Sequence, residues 1–473
     1  MVAYDDRGAD CRSTDTGERM EANLRSNAAY VLPPRGGYND WATAKAAYDR
    51  GDYTTALKVY RHMASEGDVR AQDTLGLMYE NARGVRQDYV TAMQWYRKAA
   101  EHGDAAAQLN LGNLFHDGRG AAQNYAEAAK WYRLAAEQGN AKAQNNLAAM
   151  CETGRGVKRN PAEAVHWYRL AAEAGNALAQ YNLGAAYENG LGVQQNHVEA
   201  MRWYRKAAEQ NHAAAQFNVG TMYYCHRGVR QDFVEAAKWY RKAADQGNSY
   251  AQNNLAVMYE NGQGVTKHYG EAMKWYEKAA HQGNDAAQFS IGLRYDTGEG
   301  VRQDSAEAIA WYRRAAERGN AKAQNNLARM YEDGRGVRAD FSEAVKWFRR
   351  AADQGVAASQ FNLGRAYEIG RGAPRDFAEA AKWYRLAADQ GDPTAQFNLG
   401  TMYYYGRGVQ QDFVEAHKWF ALSAARFPPA MTANIERALN NCHLVAARLT
   451  PSQIAEAHHL TSSWKPRAAS ERR

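Results

Sequence analysis

A carboxamide carries both a hydrogen-bond donor and an acceptor. This sequence places one at the same position of a repeating unit eight times, as Asn110, Asn146, Asn182, Asn218, Asn254, Asn326, Asn362 and Asn398, with Thr74 and Ser290 completing the row. Such a row can pair with the backbone of an extended peptide whatever its side chains. Directly before it stand Leu109, Tyr181, Phe217, Phe289, Phe361 and Phe397, with Asn145, Asn253 and Asn325 interspersed. Exposed aromatics beside a polar row are candidate anchors for a partner. Further along the unit an acid recurs in seven copies, Glu80, Glu152, Glu188, Glu260, Asp296, Glu332 and Glu368. A groove lined this way favours extended, somewhat basic segments. The competing reading is structural: the asparagines bond between neighbouring helices and set the pitch of the array, and the aromatics pack against the next repeat.

Other residues with chemical potential give weaker signals. A Gly-x-Gly pair is complete in eight copies, Gly190/Gly192 among them. A phosphate-binding loop follows a strand, occurs once, and carries G-x-G-x-x-G or G-K-[ST], so these glycines are expected to serve turns instead. The thirteen histidines include no H-E-x-x-H or zinc-ligand grouping, and His458-His459 is expected to be a surface pair. No Ser/His/Asp set or Gly-x-Ser-x-Gly elbow stands out. Arg97, Arg133, Arg169, Arg205, Arg241, Arg313, Arg349 and Arg385 could form a basic stripe for a nucleic-acid backbone. An acid four residues on in most copies, such as Glu101 and Glu137, suggests a solvated and internally neutralised face. No cofactor, metal or small-molecule substrate is expected, and nucleic acid is the weaker alternative.

The elements that must position these rows follow from one period. Ala-Gln or Ser-Gln glutamines run from Gln72 to Gln396, and tryptophans from Trp95 to Trp419, each at 36-residue spacing without an insertion in ten copies. Such a period is the signature of a stacked repeat. In the first helix of a unit, Ala71, Leu75 and Tyr79 share one face, and a small residue after the leucine lets a neighbour approach. Cys151 is expected to be an apolar filler in the tyrosine slot. The second helix opens with Asp or Asn and a Glu three residues on, a capping-box arrangement, and closes at a glycine.

The chain of 473 residues has 11% aromatic residues and a formal charge of +7 from 59 basic and 52 acidic side chains. The charge balance makes no case of its own for nucleic acid. No stretch approaches the roughly 18 unbroken apolar residues of a membrane span. Four dispersed cysteines and no visible secretory signal point to the cytoplasm, or to the periplasm or outside if the true start lies upstream.

The unit Asn176, Ala179-Gln180, Asn182-Leu183-Gly184, Tyr187, Gly190-x-Gly192-Val193, Glu199-Ala200, Trp203-Tyr204, Ala207-Ala208 resembles the Sel1-like repeat, a bacterial-type relative of the tetratricopeptide repeat. Leu449–Ala457 is similar to the end of bacterial members. The resemblance implies an all-α, right-handed α/α superhelical solenoid and a role in assembling protein complexes. The asparagine of the tetratricopeptide Asn-Leu-Gly faces the concave groove, which implies the same for the row here. The expected organisation is a disordered lead over 1–38, a capping helix pair over 39–67, the solenoid over 68–428, capping helices over 429–464 and a basic tail over 465–473. The expected function is a non-enzymatic scaffold or adaptor for a protein or peptide. A cysteine-rich secreted branch of the family, linked to β-lactam binding or hydrolysis, supplies the enzyme alternative; its paired cysteines are absent here.

Overall fold

The computed structural model describes residues 38–467. The expected lead therefore lies outside the described residues apart from Tyr38, which opens the first helix, and only 465–467 of the expected tail is described. Among the described residues there are 24 helices and no strands. They divide into two compact units, one running up to Asn254 with Gln263–Thr266, the other comprising Leu255–Gly262 and everything from Lys267 on. Within each unit, helical hairpins stack in chain order as an α/α solenoid.

One hairpin shows how the sequence builds them all. Asn176 accepts a hydrogen bond from the Ala179 amide and starts helix Ala177–Asn189, which ends at Gly190 in the left-handed conformation (φ 69°). Asn196 then caps helix His197–Glu209 through the Val198 and Glu199 amides. The capping box expected here forms only in part. The N-cap side chain holds the third amide, but the glutamate turns away to a lysine three residues on, as in Lys238–Glu235 at 2.7 Å, or to a tryptophan, as in Trp419 to Glu415 at 2.8 Å. A box with both halves forms at Thr450 and Gln453, where the last helix, Pro451–Ser463, begins.

The core of the first unit joins the capping pair Tyr38–Asp49 and Tyr53–Ser65 to the first repeat through Ala56, Tyr60, Leu75 and Met78. Beyond it, Leu111, Leu147 and Leu183 alternate with the second-helix tyrosines Tyr96, Tyr132 and Tyr168. In the second unit the same slots hold Leu327, Leu363, Tyr312 and Phe348. Its end is covered by helix Thr432–Ala446, whose Cys442 and Val445 pack on Ala416 and Phe420. The backbone amide of Arg467 donates to the Asp389 carbonyl at 2.8 Å, so the start of the tail is anchored. The Cys151 and Cys442 thiols are buried, and burial raises them to about 11 and about 12.

The recurrent glutamine joins hairpin to hairpin. Gln180 Nε2 donates to the Ala172 carbonyl of the preceding repeat at 3.0 Å, and its Oε1 accepts from Gln210 at the end of its own repeat at 2.8 Å. The second bond needs a glutamine at the helix end. Where His102, Ala174, Arg318 and Arg426 stand there instead, the Oε1 atoms of Gln72, Gln144, Gln288 and Gln396 are buried without a hydrogen-bond partner. Ala174→Gln is therefore expected to raise stability by about 1 kcal/mol, because it satisfies a buried acceptor from an exposed position. An unchanged urea midpoint for that variant would count against this ladder.

Candidate interaction face

The first helices of successive repeats lie side by side within each unit, bonded through the two rows predicted to bind a partner and, in one case, through a serine two residues before them. Asn182 Nδ2 donates to Asn145 Oδ1 at 3.0 Å and Asn110 Nδ2 to Asp73 Oδ1 at 3.1 Å in the first unit. Ser359 donates to Asn325 at 2.8 Å in the second. The asparagine row also faces the second-helix phenols of the preceding repeat, and Asn326 Nδ2 donates to the Tyr312 hydroxyl at 3.1 Å. Asn182, Asn218 and Asn254 are buried; Asn110, Asn146, Asn326, Asn362 and Asn398 are half-buried.

The acidic row turns inward in the same way. Tyr204 donates to Glu188 at 2.7 Å, Tyr276 to Glu260 at 2.8 Å and Tyr384 to Glu368 at 2.6 Å, with equivalent bonds to Glu80, Glu152 and Asp296. Burial, then the neighbouring carboxylate, holds the Tyr204 phenol well above its ordinary pKa, so it stays a donor. Exceptions obey the same chemistry. The second helix carries Phe348 where a tyrosine would reach Glu332, and Glu332 takes the Arg365 guanidinium instead. Where the acid is replaced by His116 or Tyr224, the phenols Tyr132 and Tyr240 donate to Asn113 and Thr221. The expectation of a freely exposed acidic row is corrected at Glu188, which is only 6% exposed, while Glu260, Glu332 and Glu368 are half-buried.

The aromatic anchors are also partly absorbed. Tyr181, Phe217, Phe289 and Phe361 lie against Tyr204, Tyr240, Tyr312 and Tyr384 with centroids 5.6, 5.7, 5.8 and 5.8 Å apart, and Phe397 lies 5.3 Å from Phe420. Phe217 is 2% exposed, so it is core and not an exposed anchor; the other four are half-buried.

Ten tandem units match the Sel1 repeat pattern, at 69–104, 105–140, 141–176, 177–212, 213–248, 249–284, 285–320, 321–356, 357–392 and 393–426. The chain belongs to the Sel1 repeat family. This Sel1 array is similar to c5321, a protective antigen present in uropathogenic Escherichia coli strains displaying an SLR fold: identity is 39%, TM-score 0.78, and coverage 90% of this chain and 91% of that one. A Sel1 repeat protein from Oxalobacter formigenes is 34% identical with a TM-score of 0.47, covering 51% of this chain and 97% of that one. No curated protein matches the chain.

The arginine stripe of the Sel1 array is likewise joined across repeats. Arg169 donates to the Tyr187 hydroxyl of the next repeat at 2.8 Å and Arg205 to Tyr223 at 3.0 Å; Arg313, Arg349 and Arg385 reach Tyr331, Tyr367 and Tyr403. Arg133, facing Cys151 in that slot, reaches Glu163 at 2.7 Å instead. The pairs four residues apart that the sequence suggested give way to these bonds. What signals them is the recurrence, 18 residues apart, of an arginine on one helix and a phenol on the next in most copies. Among the described residues no group of His, Cys, Asp or Glu is arranged to hold a metal ion, and His458 and His459 are exposed. No described helix is long and apolar enough to cross a membrane.

Proposed function

We propose that this protein is a non-enzymatic scaffold or adaptor that binds an extended polypeptide segment along the first-helix side of its Sel1 repeats. Sel1 repeats typically mediate protein–protein interaction. The observation that carries the reading is the lateral locking of first helices within each unit by Asn182–Asn145 and Ser359–Asn325. A wall fixed in this way presents one set of outward side chains per hairpin and gives up little freedom when a partner lies along it. Contacts come from the half-buried members of the predicted rows, Asn362, Asn398, Phe361, Phe397, Glu332 and Glu368, and from the exposed helix ends, such as Asn189 and Asp333. Affinity is spread over many modest contacts, so single substitutions have small effects and combined ones larger.

The test is site-specific photocrosslinking in the native host. A photoreactive residue at Asn189 or Asp333 is expected to capture a discrete protein, while one at Lys130 or Lys346, on the outer side of second helices, captures none. Capture only from the second-helix positions would overturn the assignment of the face. Nitrocefin turnover without any adduct would favour the β-lactam alternative, and salt-sensitive retention on DNA the nucleic-acid one.

A further inference from the structure

The last two repeats break the pattern of the wall. The residue closing the first helix is polar or cysteine in repeats one to eight, from Asn81 to Asp333, but becomes Ile369 in the ninth and Tyr405 in the tenth, 54% and 58% exposed. Large apolar side chains at one slot of adjacent repeats mark an interaction surface more often than chance exposure does. The arginine between the two glycines changes its company at the same place. In three earlier repeats the arginine of this turn meets an acid of the preceding repeat, Arg119–Glu80 at 3.7 Å, Arg227–Glu188 at 3.5 Å and Arg335–Asp296 at 2.6 Å, whereas Arg83 lies over the Tyr48 and Tyr53 rings. Arg371 and Arg407 instead lie over the Phe341 and Tyr405 rings, 3.9 and 4.9 Å from the centroids, and neither is ion-paired among the described residues.

The acids of these repeats form no ion pair with Arg371 or Arg407 among the described residues. Glu332 holds Arg365 and Glu368 holds the Tyr384 hydroxyl. Asp376, Asp392 and Asp412 cap helices, where the dipole offsets their charge, and Glu379 and Glu415 pair with Lys382 and Lys418. Two exposed guanidiniums thus accompany two exposed apolar side chains, and neither guanidinium has an ion-pair partner among the described residues. An arginine stacked on an aromatic ring still presents its donor fork at the edge, in the geometry that takes a carboxylate bidentately.

We infer that repeats nine and ten form a docking site for an acidic peptide segment of a partner protein, with Ile369 and Tyr405 receiving an apolar side chain and Arg371 and Arg407 receiving flanking carboxylates. The inference rests on the scaffold reading and names the partner's chemistry for one stretch of the wall. It reverses, for this stretch, the preference for basic segments that the acidic row suggested, because Ile369, Arg371, Tyr405 and Arg407 are more exposed than Glu368.

The experiment is fluorescence anisotropy on the full chain with a labelled twelve-residue peptide of alternating Glu and Leu, its Lys-for-Glu counterpart, and a twelve-base oligothymidine. The acidic peptide is expected to bind at least about ten-fold more tightly than either of the others, with the preference shrinking as salt is raised. R371E/R407E and the milder R371A/R407A are expected to weaken it by about ten-fold or more, and I369A/Y405A by a similar factor, whereas R86E/R230E, in loops of the first and fifth repeats, leaves it unchanged. All of these positions are exposed, and unchanged urea midpoints confirm that the variants are folded. No binding, equal binding of the lysine peptide or the oligonucleotide, or indifference to both arginine pairs would overturn the inference. If crosslinking from Asn189 and Asp333 persists in that case, the scaffold reading stands and only the acidic docking site falls; if crosslinking also fails, both fall.

Discussion

Gly192→Ala is expected to destabilise the array by more than about 3 kcal/mol, while Gly190→Ala, two residues earlier in the same turn, costs only about 1 kcal/mol. Both glycines have positive φ, 69° and 71°, so backbone conformation alone predicts equal penalties. The surroundings differ. A Cβ on Gly190 would meet the Gln195 Cβ at 3.3 Å, a tight contact relieved by a shift of a few tenths of an ångström in a loop residue. A Cβ on Gly192 would lie 2.1 Å from the Pro161 carbonyl oxygen, at the start of the second helix of the preceding repeat, and a helix backbone in a packed interface cannot retreat by that much. The chain carries its own control. The first position of the pair is Ala82 and His226 in two repeats, with φ of 56° and 57°, but the second is glycine in all ten. Equal losses for the two variants in urea melts would show that the second glycine serves only the turn.

The second large effect concerns Asp73 and is pH-dependent. This carboxylate is 2% exposed at a slot where other repeats carry Asn145, Asn253 and Asn325. Burial, followed by repulsion from Asp104, lifts it from 3.8 to about 7, although the hydrogen bond from Asn110 opposes the rise. A raised carboxyl binds its proton more tightly in the folded state. Its contribution to stability is therefore fully present below about pH 4, falls as pH rises by up to 1.36 kcal/mol per pH unit, and is lost by about pH 7. Asp73→Asn keeps the acceptor for Asn110 and removes the charge. It should match the parent near pH 4 and exceed it at pH 8 by roughly 2–4 kcal/mol, the lower figure allowing for relaxation around the ionised group. Urea midpoints for the two proteins running parallel from pH 4 to pH 8 would refute the buried charge.

Much of this was legible in advance, for reasons that lie in particular residues. Helix starts at Asn176 and Asn196 and the stop at Gly190 follow from local hydrogen-bonding and φ requirements, which a few neighbouring residues satisfy on their own. The Leu183 and Tyr204 core follows from helical periodicity. Which way the polar rows point was not legible. Within a single hairpin, Glu188 and Asn182 lie away from the Leu183 stripe and look solvent-facing. Each is covered once the helices pack: the Tyr204 phenol, on the second helix of the same hairpin, covers Glu188, and the preceding repeat, through Asn145, covers Asn182. Likewise Arg169 has an acid four residues on, yet its partner is the phenol of Tyr187 in the following repeat.

By itself the sequence determined the repeat length, the order of helices and the apolar stripe of each, because those depend on spacing within one hairpin. The tertiary structure decided that Asn182, Asn218, Asn254 and Glu188 are buried, that the second glycine admits a neighbouring backbone, and that Ile369, Tyr405, Arg371 and Arg407 stay exposed. The physical reason is that burial of a polar group depends on what stacks against it from the adjoining repeat, and a periodic sequence gives the same residue to every copy whether or not its neighbour supplies a partner.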